Sequence, residues 1–272
     1  MLQLSQLFIY PIKSLGGIAK QSVEITNTGF KYDRRWMLVD EKNIFLTQRT
    51  HPQMVLLHVA ETGDGFIVSK YNDEALSINI PFITPSQKKI TVTVWEDVCP
   101  AIEISDSHNA WFSDMLNVKC RLVYMPDDTK RMVDKRYAAN EEVTSFSDGY
   151  PILMIGQSSL DKLNEKLAEA LPVNRFRPNI VFTGGHAHIE DEMAAFEINE
   201  LNFLGVMPCS RCVVTTINQR TSEKGKEPLT TLSRYRMKNN KIYFGQNVLQ
   251  QQNGVINIGN EIKIIKQQEA FI

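Results

Sequence analysis

The sequence is short of cysteine, of long apolar runs and of net charge, and each shortage excludes a class of protein. Four cysteines in 272 residues are too few for the disulfide framework of a small secreted protein. No stretch approaches the roughly 18 consecutive apolar residues that a membrane span requires, and the first residues do not form a signal peptide. The net charge of −1 argues against a dedicated nucleic-acid binder. We therefore expect a soluble, cytoplasmic protein of a reducing compartment, with neither a membrane nor a nucleic acid as a primary partner.

Hydrophobic residues make up 43% of the chain and charged residues 22%, an ordinary globular composition that excludes disorder, collagen and coiled coil. Short strand-like runs, such as residues 36–39 and 55–60, recur in the first hundred residues and again after residue 180. Turn signals separate them about every 8–12 residues in the first part, which is typical of a small barrel or sandwich. We predict a mixed α+β, β-dominated fold, with an N-terminal β-barrel-like domain at residues 1–100 packed on a second domain at residues 101–272 that has a few helices.

Three helices and one long loop are predicted within the second domain, and one of these helices is a short one near Leu229–Tyr235. A cap at Ser105 or Asp106 predicts a helix that runs through Leu116. Residues 126–148 are polar and aperiodic, which predicts a long loop, and loops of that length are usually functional or mobile. The best helical spacing is that of Leu160, Leu163, Leu167 and Leu171, with Ser158 or Ser159 as the cap and Pro172 as the stop.

The sharpest local motif is Cys209-Ser210-Arg211-Cys212. A C-x-x-C pair can be a redox dithiol, half of a zinc site, the source of one thiolate for another metal, or simply two buried apolar side chains. Cys99 and Cys120 offer no second C-x-x-C for a closed zinc site. Residues 213–217 predict a strand, whereas a thioredoxin-like dithiol is followed by a helix. Arg211 adds positive charge that favours a thiolate.

A second motif, His186-Ala187-His188 followed by Glu190-Asp191, resembles part of the H-x-H-x-D-H run of metallo-β-lactamase-like hydrolases. That metal site needs further histidines downstream. No histidine follows His188 in this chain, because the remaining histidines all lie upstream. We therefore expect a solvated loop at this position rather than a dinuclear metal site.

Cationic and amide side chains recur in short motifs that suit an anion, because guanidinium forks match phosphate oxygens. They are Lys13 and Ser14 beside the Gly16-Gly17 turn, Arg34, Arg49, and the group of Arg175, Arg177 and Asn179 between the second helix and a strand. The chain has neither a G-x-x-x-x-G-K-[ST] phosphate loop nor a G-x-G-x-x-G dinucleotide motif. An anion site would therefore be assembled from dispersed donors.

Seven segments, in order and spread over about residues 4–265, together resemble the MOSC superfamily with its N-terminal MOSC β-barrel domain. This group includes bacterial MOSC reductases of N-hydroxylated compounds and the mitochondrial amidoxime-reducing component. The segments are Tyr10-Pro11-Ile12-Lys13-Ser14, Asp33-Arg34-Arg35-Trp36, Phe45-Leu46-Thr47-Gln48-Arg49, Asp148-Gly149-Tyr150-Pro151, Arg175-Phe176-Arg177-Pro178-Asn179, Cys209-Ser210-Arg211-Cys212 and Lys226-Glu227-Pro228-Leu229. The resemblance implies that the second domain is a MOSC β-barrel domain.

The resemblance also implies a molybdenum cofactor (molybdopterin with Mo) held between the two parts, with Cys212 as the metal ligand. As further catalytic residues we name Asp148 and Asp191, the latter as part of the Glu190-Asp191 pair. The resemblance implies cofactor contacts from Lys13, Ser14, Arg34, Arg177 and Asn179. To these we add Arg49, Arg175, Ser210 and Arg211, which belong to the same segments, as predicted cofactor-binding residues. Pyridoxal phosphate binding is a label given to the family as a whole, and we include it here only as such a family-level prediction.

Members of the family reduce small N-hydroxylated compounds, namely hydroxylamines, amidoximes and N-hydroxylated bases, with electrons from a separate electron-transfer protein. The resemblance predicts the same molybdenum-dependent oxidoreductase activity here. Two alternatives remain open. One is a non-enzymatic carrier of sulfur or of the molybdenum cofactor, and the other is a thiol-redox protein that uses Cys209 and Cys212 as a disulfide.

Overall fold

Short strands make up most of the chain, which confirms the predicted β-dominated class. A computed structural model describes residues 1–83, 86–138 and 140–272. Its strands are β1 (Leu2–Ile9), β2 (Ile18–Lys20), β3 (Ser22–Thr26), β4 (Gly29–Phe30), β5 (Trp36–Val39), β6 (Leu57–Glu61), β7 (Gly65–Lys70), β8 (Asp73–Pro81), β9 (Lys89–Val94), β10 (Asp97–Glu103), β11 (Arg121–Tyr124), β12 (Ile152–Gly156), β13 (Ile180–Thr183), β14 (Met193–Ile198), β15 (Leu201–Ser210), β16 (Met237–Lys238), β17 (Lys241–Gln250), β18 (Gly254–Asn257) and β19 (Glu261–Gln267). Its helices are α1 (Asp106–Leu116), α2 (Gln157–Asn164), α3 (Leu229–Ser233) and short 3₁₀ helices at Pro52–Leu56, Val173–Phe176, Ile189–Glu192 and Val213–Thr216.

Seven strands close into a barrel in the order β12-β13-β1-β19-β14-β15-β17, and β17 pairs back to β12. Most neighbours are antiparallel, whereas β12 and β13 are parallel and are joined by α2. The first strand of the chain, β1, lies between β13 and β19, so it completes a barrel whose other strands all follow residue 150. The proposed boundary between residues 100 and 101 stays a prediction.

Three smaller sheets pack around this barrel. One has the order β5-β11-β10-β9, the second β6-β7-β8, and the third joins β18 from the end of the chain to β3 and β4. A continuous apolar core connects them to the barrel; it includes Trp36, Phe66, Phe112, Phe182 and Phe203, all fully buried. None of the helices in the described ranges is long and apolar enough to cross a membrane.

Helix α1 begins where its cap predicts. Ser105 is the N-cap and its hydroxyl accepts a hydrogen bond from the backbone N–H of His108 at 3.3 Å. The predicted long loop is also found, since no named helix or strand falls within residues 126–138 and 140–148. Residue 139 of that predicted loop lies outside the described residues.

Helix α2 is shorter than its leucine spacing predicts, because it ends at Asn164. The Asn164 side chain accepts a hydrogen bond from the Leu171 N–H at 2.9 Å and donates one to the Leu171 carbonyl at 3.1 Å, which folds the next turn back. The predicted serine cap is wrong as well. Gly156 is the N-cap, and Ser159 turns inward to donate to Glu190 at 2.8 Å.

The strand predicted after the cysteine motif is also wrong, because residues 213–216 form a 3₁₀ helix. The hydroxyls of Thr215 and Thr216 donate to the carbonyls of Cys212 and Val213 at 3.0 and 2.8 Å. Such back-bonds to a carbonyl three residues earlier offer the backbone a tight turn instead of a strand ladder. A β-branched run therefore folds as a turn here, and this turn places Cys212 at its start.

Candidate functional site

One cavity brings together every site residue predicted from the sequence except Asp191. It opens between the N-terminal segments around Lys13 and Arg49 and the end of the barrel at β15. The residues that line it are Lys13, Ser14, Arg34, Thr47, Gln48, Arg49, Ser147, Asp148, Gly149, Tyr150, Leu153, Arg175, Phe176, Arg177, Asn179, Cys209, Ser210, Arg211, Cys212, Val214, Thr215 and Asn247. Six of these side chains are cationic and one, Asp148, is acidic, so the cavity suits an anion.

Two of the four free cysteines lie in the cavity wall, each beside a different guanidinium. The Nε and Nη2 atoms of Arg49 are both 3.3 Å from Cys212 Sγ. Arg211 Nη1 is 3.0 Å from Cys209 Sγ. Cys99 and Cys120 are buried elsewhere, and burial raises the pKa of the Cys120 thiol to about 11. Cys212 is therefore a partly buried cysteine of the cavity wall with two N–H donors directed at its sulfur.

Two cavity arginines, Arg34 and Arg177, stack on the ring of Tyr10. The guanidinium carbons lie 4.4 and 4.3 Å from the ring centroid. Gly17 lies directly against the Tyr10 ring, and a Cβ atom at position 17 would overlap that ring. Asp33, which is buried, ion-pairs with Arg34 and accepts a hydrogen bond from the Tyr10 N–H at 2.7 Å. These contacts hold both cations before any ligand arrives.

Amide and carbonyl groups fix the same two arginines from the other side. Arg34 Nη1 donates to Asn179 Oδ1 at 3.1 Å, and Arg34 Nη2 donates to the Arg177 carbonyl at 3.2 Å. Arg177 Nη1 donates to the Leu15 carbonyl at 2.6 Å. Burial, with Arg34 nearby, lowers the pKa of Arg177 to about 10, so the cavity holds this guanidinium at an electrostatic cost.

Three of the predicted cofactor-binding residues have left-handed backbone conformations. Their φ angles are 70° for Ser14, 49° for Arg34 and 56° for Arg177. Residues other than glycine reach this region at a cost, and such strain concentrates at ligand sites. The carbonyl of Ser14 is held by Gln48, whose Nε2 donates to it at 2.6 Å. The chain therefore accepts strain where it presents polar groups to the cavity.

Lys13 and Asp148 form an ion pair at the mouth of the cavity. Lys13 is buried, and its Nζ donates to Asp148 Oδ1 at 2.6 Å and to the Phe146 carbonyl at 2.7 Å. Burial lowers the pKa of Lys13 to about 8, although Asp148 acts in the opposite direction. Enclosure would raise the pKa of Asp148, but Lys13 and Arg49 outweigh it and lower that pKa. Because 68% of the Asp148 side chain is exposed, solvent screens this pairing.

The depressed pKa of Lys13 predicts a pH dependence of stability. Between pH 8 and 10.5 the unfolded chain binds the Lys13 proton more tightly than the folded chain does, so the Lys13 contribution to stability rises with pH. Relative to Lys13→Met, the wild-type free energy of unfolding should gain about 3 kcal/mol from pH 7.5 to 10.5. Urea denaturation of both proteins measures it. Parallel curves for the two proteins would show that Lys13 keeps its ordinary pKa.

A buried arginine that was not predicted as a site residue, Arg131, holds the Asp148 loop. Arg131 Nη1 donates to the carbonyls of Ser145 and Ser147 at 2.9 and 2.5 Å, and its Nη2 donates to the Asp148 carbonyl at 2.9 Å. Its Nε donates to Asp97 at 2.7 Å. In the sequence Arg131 belongs to a polar run, where a solvated role is the ordinary interpretation. The long loop is thus fixed in place next to the cavity.

The Glu190-Asp191 pair lies away from the cavity and is buried. Asp191 ion-pairs with the buried Arg236, and Glu190 accepts hydrogen bonds from Ser159 Oγ at 2.8 Å and from the Gly156 N–H. Burial raises the pKa of Glu190 to about 7 and also raises that of Asp191. The structure therefore does not bring Asp191 to the other predicted site residues.

The solvated loop expected at His186-Ala187-His188 is only half correct. His186 is exposed and lies 3.4 Å from Glu192, whereas His188 is buried and burial lowers its pKa to about 3. The buried carboxylates that follow it have the internal partners described above. Within residues 1–83, 86–138 and 140–272, no group of three or more His, Cys, Asp and Glu side chains is arranged to hold a metal ion.

Two aromatic residues that were not predicted as site residues, Trp95 and Phe45, lie at the cavity mouth. Trp95 Nε1 donates to Asp148 Oδ1 at 3.2 Å, and the Arg49 guanidinium carbon lies 4.1 Å from the Trp95 ring. Phe45 packs against Trp95 at 4.8 Å between ring centroids, and Lys13 Nζ lies 5.4 Å from the Phe45 ring. No sequence pattern selected Trp95, because its place in a hairpin turn is seen only in the structure.

Comparison with known proteins finds matches to two family models along the chain. The profile of the MOSC N-terminal beta barrel domain matches residues 1–119, and that of the MOSC domain matches residues 141–263. Mitochondrial amidoxime reducing component 2 of Rattus norvegicus is 32% identical over 86% of this chain and 72% of its own length. Mitochondrial amidoxime-reducing component 1 of Mus musculus is 29% identical over 97% of this chain and 82% of its own length. Molybdenum cofactor sulfurase of Oryza sativa subsp. japonica is 29% identical over 90% of this chain, which spans 32% of that protein.

Proposed function

Because the chain belongs to the MOSC family, with a MOSC N-terminal beta barrel domain ahead of a MOSC domain, we propose that it is a molybdenum-cofactor-dependent reductase of N-hydroxylated compounds. Its substrates are hydroxylamines, amidoximes and N-hydroxylated bases, and a separate electron-transfer protein supplies the electrons. One observation carries the proposal: Cys212 and six cationic side chains line the same cavity.

The donors of this cavity fit a phosphorylated pterin with a metal. A sulfur ligand suits a soft metal centre, and guanidinium groups suit a phosphate. The Nε atoms of Arg175 and Arg211 are buried without a hydrogen-bond partner, and such orphaned donors are expected where a polar ligand binds. Pyridoxal phosphate, the family-level label, stays a prediction that no contact in this structure tests.

In this proposal each group of residues has a separate task. Cys212 is the metal ligand of the protein, and the anionic part of the cofactor is held by Lys13, Ser14, Arg34, Arg49, Arg175, Arg177, Asn179, Ser210 and Arg211. When bound, the cofactor supplies the two-electron chemistry that removes the oxygen of an N–OH group. The N-hydroxy compound takes up two electrons and two protons and yields the amine and water.

Asp148 has the position and charge of a substrate-orienting group. Its carboxylate is exposed at the mouth, and Lys13 and Arg49 keep it ionised, so it can accept a hydrogen bond from the N–H or O–H of an amidoxime. Lys13, with a pKa of about 8, can release or take up a proton near neutral pH from the same spot. Asp191 has no part in this arrangement, because Arg236 holds it in the interior.

The proposal is tested with protein produced in the presence of molybdate. We expect elemental analysis to find molybdenum in stoichiometric amount, and an artificial reductant to drive reduction of an amidoxime to the amidine. Molybdenum without reduction of any N-hydroxylated compound would favour the carrier function. Absence of both would contradict the proposal and the carrier function alike.

The carrier function is the second candidate, and the similarity to the molybdenum cofactor sulfurase favours it. A protein that passes on sulfur or the cofactor uses the same Cys212 and the same cationic cavity. The two functions differ in what happens to an N-hydroxylated substrate when cofactor and electrons are both present, so amidoxime reduction by the molybdenum-loaded protein separates them.

Substitution of Cys209 separates the reductase from a thiol-redox protein. Cys209 and Cys212 have different guanidinium partners, Arg211 and Arg49. We expect Cys209→Ser to lower amidoxime turnover less than about tenfold, the lower range for an outer-shell change at a metal site. A dithiol mechanism needs both sulfurs, so it predicts that Cys209→Ser and Cys212→Ser abolish activity equally. Steady-state turnover of both variants, normalised to bound molybdenum, decides between them.

A further inference from the structure

Trp95 occupies an unfavourable backbone position for a large residue. It is the first residue of the two-residue turn between β9 and β10, since Val94 pairs with Asp97 across the hairpin. Its φ is 59°, and turns of this kind favour glycine, asparagine or aspartate where φ is positive. The side chain is 40% exposed, so core packing does not explain its presence. A tryptophan that costs strain at an exposed turn is best explained by what it contacts.

The contacts of Trp95 are directed at two charged groups of the cavity. Its Nε1 donates to Asp148 Oδ1 at 3.2 Å, and its ring lies 4.1 Å from the Arg49 guanidinium carbon. Phe45 supports the ring from the neighbouring segment, with the centroids 4.8 Å apart. The indole therefore contacts an anion by its polar edge and a cation by its face, a combination that a tryptophan ring provides.

Arg49 connects Trp95 to the sulfur. The guanidinium that lies over the indole directs both Nε and Nη2 at Cys212 Sγ, each at 3.3 Å. Its Nη2 also lies 3.9 Å from Asp148 Oδ2. A long arginine side chain has many rotamers in solution, and an aromatic ring beneath it restricts that freedom. Loss of the ring would remove the aromatic contact that restrains the guanidinium in line with the sulfur.

We infer that Trp95 is a positioning residue of this site. It holds the Arg49 guanidinium against the Cys212 sulfur and holds the Asp148 carboxylate at the mouth, where an N-hydroxylated substrate enters. The inference rests on the proposed function for its catalytic consequence, but the arrangement of Arg49 is a property of the protein alone.

The test uses two substitutions of Trp95 and a matched control. Trp95→Phe keeps a ring beneath Arg49 but removes the N–H donor to Asp148. Trp95→Gly removes both contacts and suits the positive φ, so the turn is preserved. The control is Trp111→Phe in α1, a partly buried tryptophan that packs on Phe112 and does not line the cavity.

The first readout is the arginine side-chain ¹H–¹⁵N spectrum of the cofactor-free protein, in which the Nε–H signal of Arg49 is assigned by its loss in Arg49→Lys. The indole ring should shift this signal upfield in the wild type. We expect the shift to disappear in Trp95→Gly, to persist in part in Trp95→Phe and to be unchanged in Trp111→Phe. An unmoved Arg49 signal in Trp95→Gly would overturn the inference.

The second readout is amidoxime reduction by molybdenum-loaded protein, normalised to bound metal. We expect kcat to fall about tenfold in Trp95→Gly and less in Trp95→Phe, in line with the loss of one cation–π contact and one hydrogen bond to a charge. A moved Arg49 signal with unchanged kcat would overturn the positioning role. If wild-type protein reduces no N-hydroxylated compound, the proposed function fails, and the spectrum alone then decides whether Trp95 holds Arg49.

Discussion

Replacing Cys212 with alanine should abolish reduction of N-hydroxylated compounds while leaving the fold intact. Cys212 is partly buried in the cavity wall and starts a 3₁₀ helix through its backbone, which alanine retains, so we expect the fold to survive the substitution. Loss of outer-shell groups at metal sites typically costs about 10–100-fold. Loss of the proposed metal ligand itself should therefore lower turnover by more than about 100-fold. Turnover per bound molybdenum is the measurement, and thermal unfolding checks the fold.

Cys209→Ser is the matched control for this prediction, because it changes the other sulfur of the same cavity. Each substitution removes one sulfur from the cavity wall, so a difference between the two proteins reports on the sulfur at position 212. Unchanged turnover in fully metallated Cys212→Ala protein would refute the ligand role. It would leave the cavity as an anion site of another purpose.

Breaking the Asp191–Arg236 pair should destabilise the protein more than any substitution in the cavity wall does. Both side chains are buried, and Arg236 Nε also donates to the Tyr243 carbonyl at 3.2 Å. Removing one partner leaves the other charge buried without compensation, which typically costs about 3–5 kcal/mol. We expect a loss of that size in the free energy of unfolding of Asp191→Leu, measured by urea denaturation. Arg236→Met should lose a comparable amount.

The double variant Asp191→Leu/Arg236→Met is the control, since it removes both charges and replaces them with apolar side chains. Such replacements are often neutral or stabilising, so the double variant should be much more stable than either single one. Its amidoxime turnover should match the wild type. The sequence-based prediction that Asp191 is catalytic expects the opposite, namely that a refolded double variant has lost activity.

Local patterns predicted local structure where the partners are close in sequence. Ser105 caps α1 because its hydroxyl reaches a backbone N–H three residues away. The leucine spacing after residue 160 overestimated α2, because Asn164 and Leu171 bond to each other and end the helix early. The run after Cys212 looked like a strand, but two threonine hydroxyls bond back to the chain. Side-chain bonds to the backbone thus decided the cases in which apolar spacing failed.

The cavity itself could not be derived from spacing. Arg34 donates a hydrogen bond to Asn179, although the two residues lie 145 positions apart in the chain. The resemblance to a family selected these residues. The short motifs by themselves indicated only that hydrogen-bond donors for an anion are dispersed along the chain. Arg131 and Trp95 were missed because a basic residue in a polar run and an aromatic in a turn carry no signal of their own. The partner of Asp191 is 45 positions away, so its burial could not be foreseen.

The position of β1 between β13 and β19 has a consequence for how the protein matures. β1 leaves the ribosome before both of these neighbours, which come from residues 180–183 and 261–267, so the part of its edge that pairs with β19 stays unpaired until residues 261–267 have been made. The barrel can therefore close only late in synthesis. A fragment that starts at residue 101 would lack β1, one of the seven barrel strands. Such a fragment would also lack Lys13, Arg34 and Arg49, which are three of the six cationic side chains of the cavity.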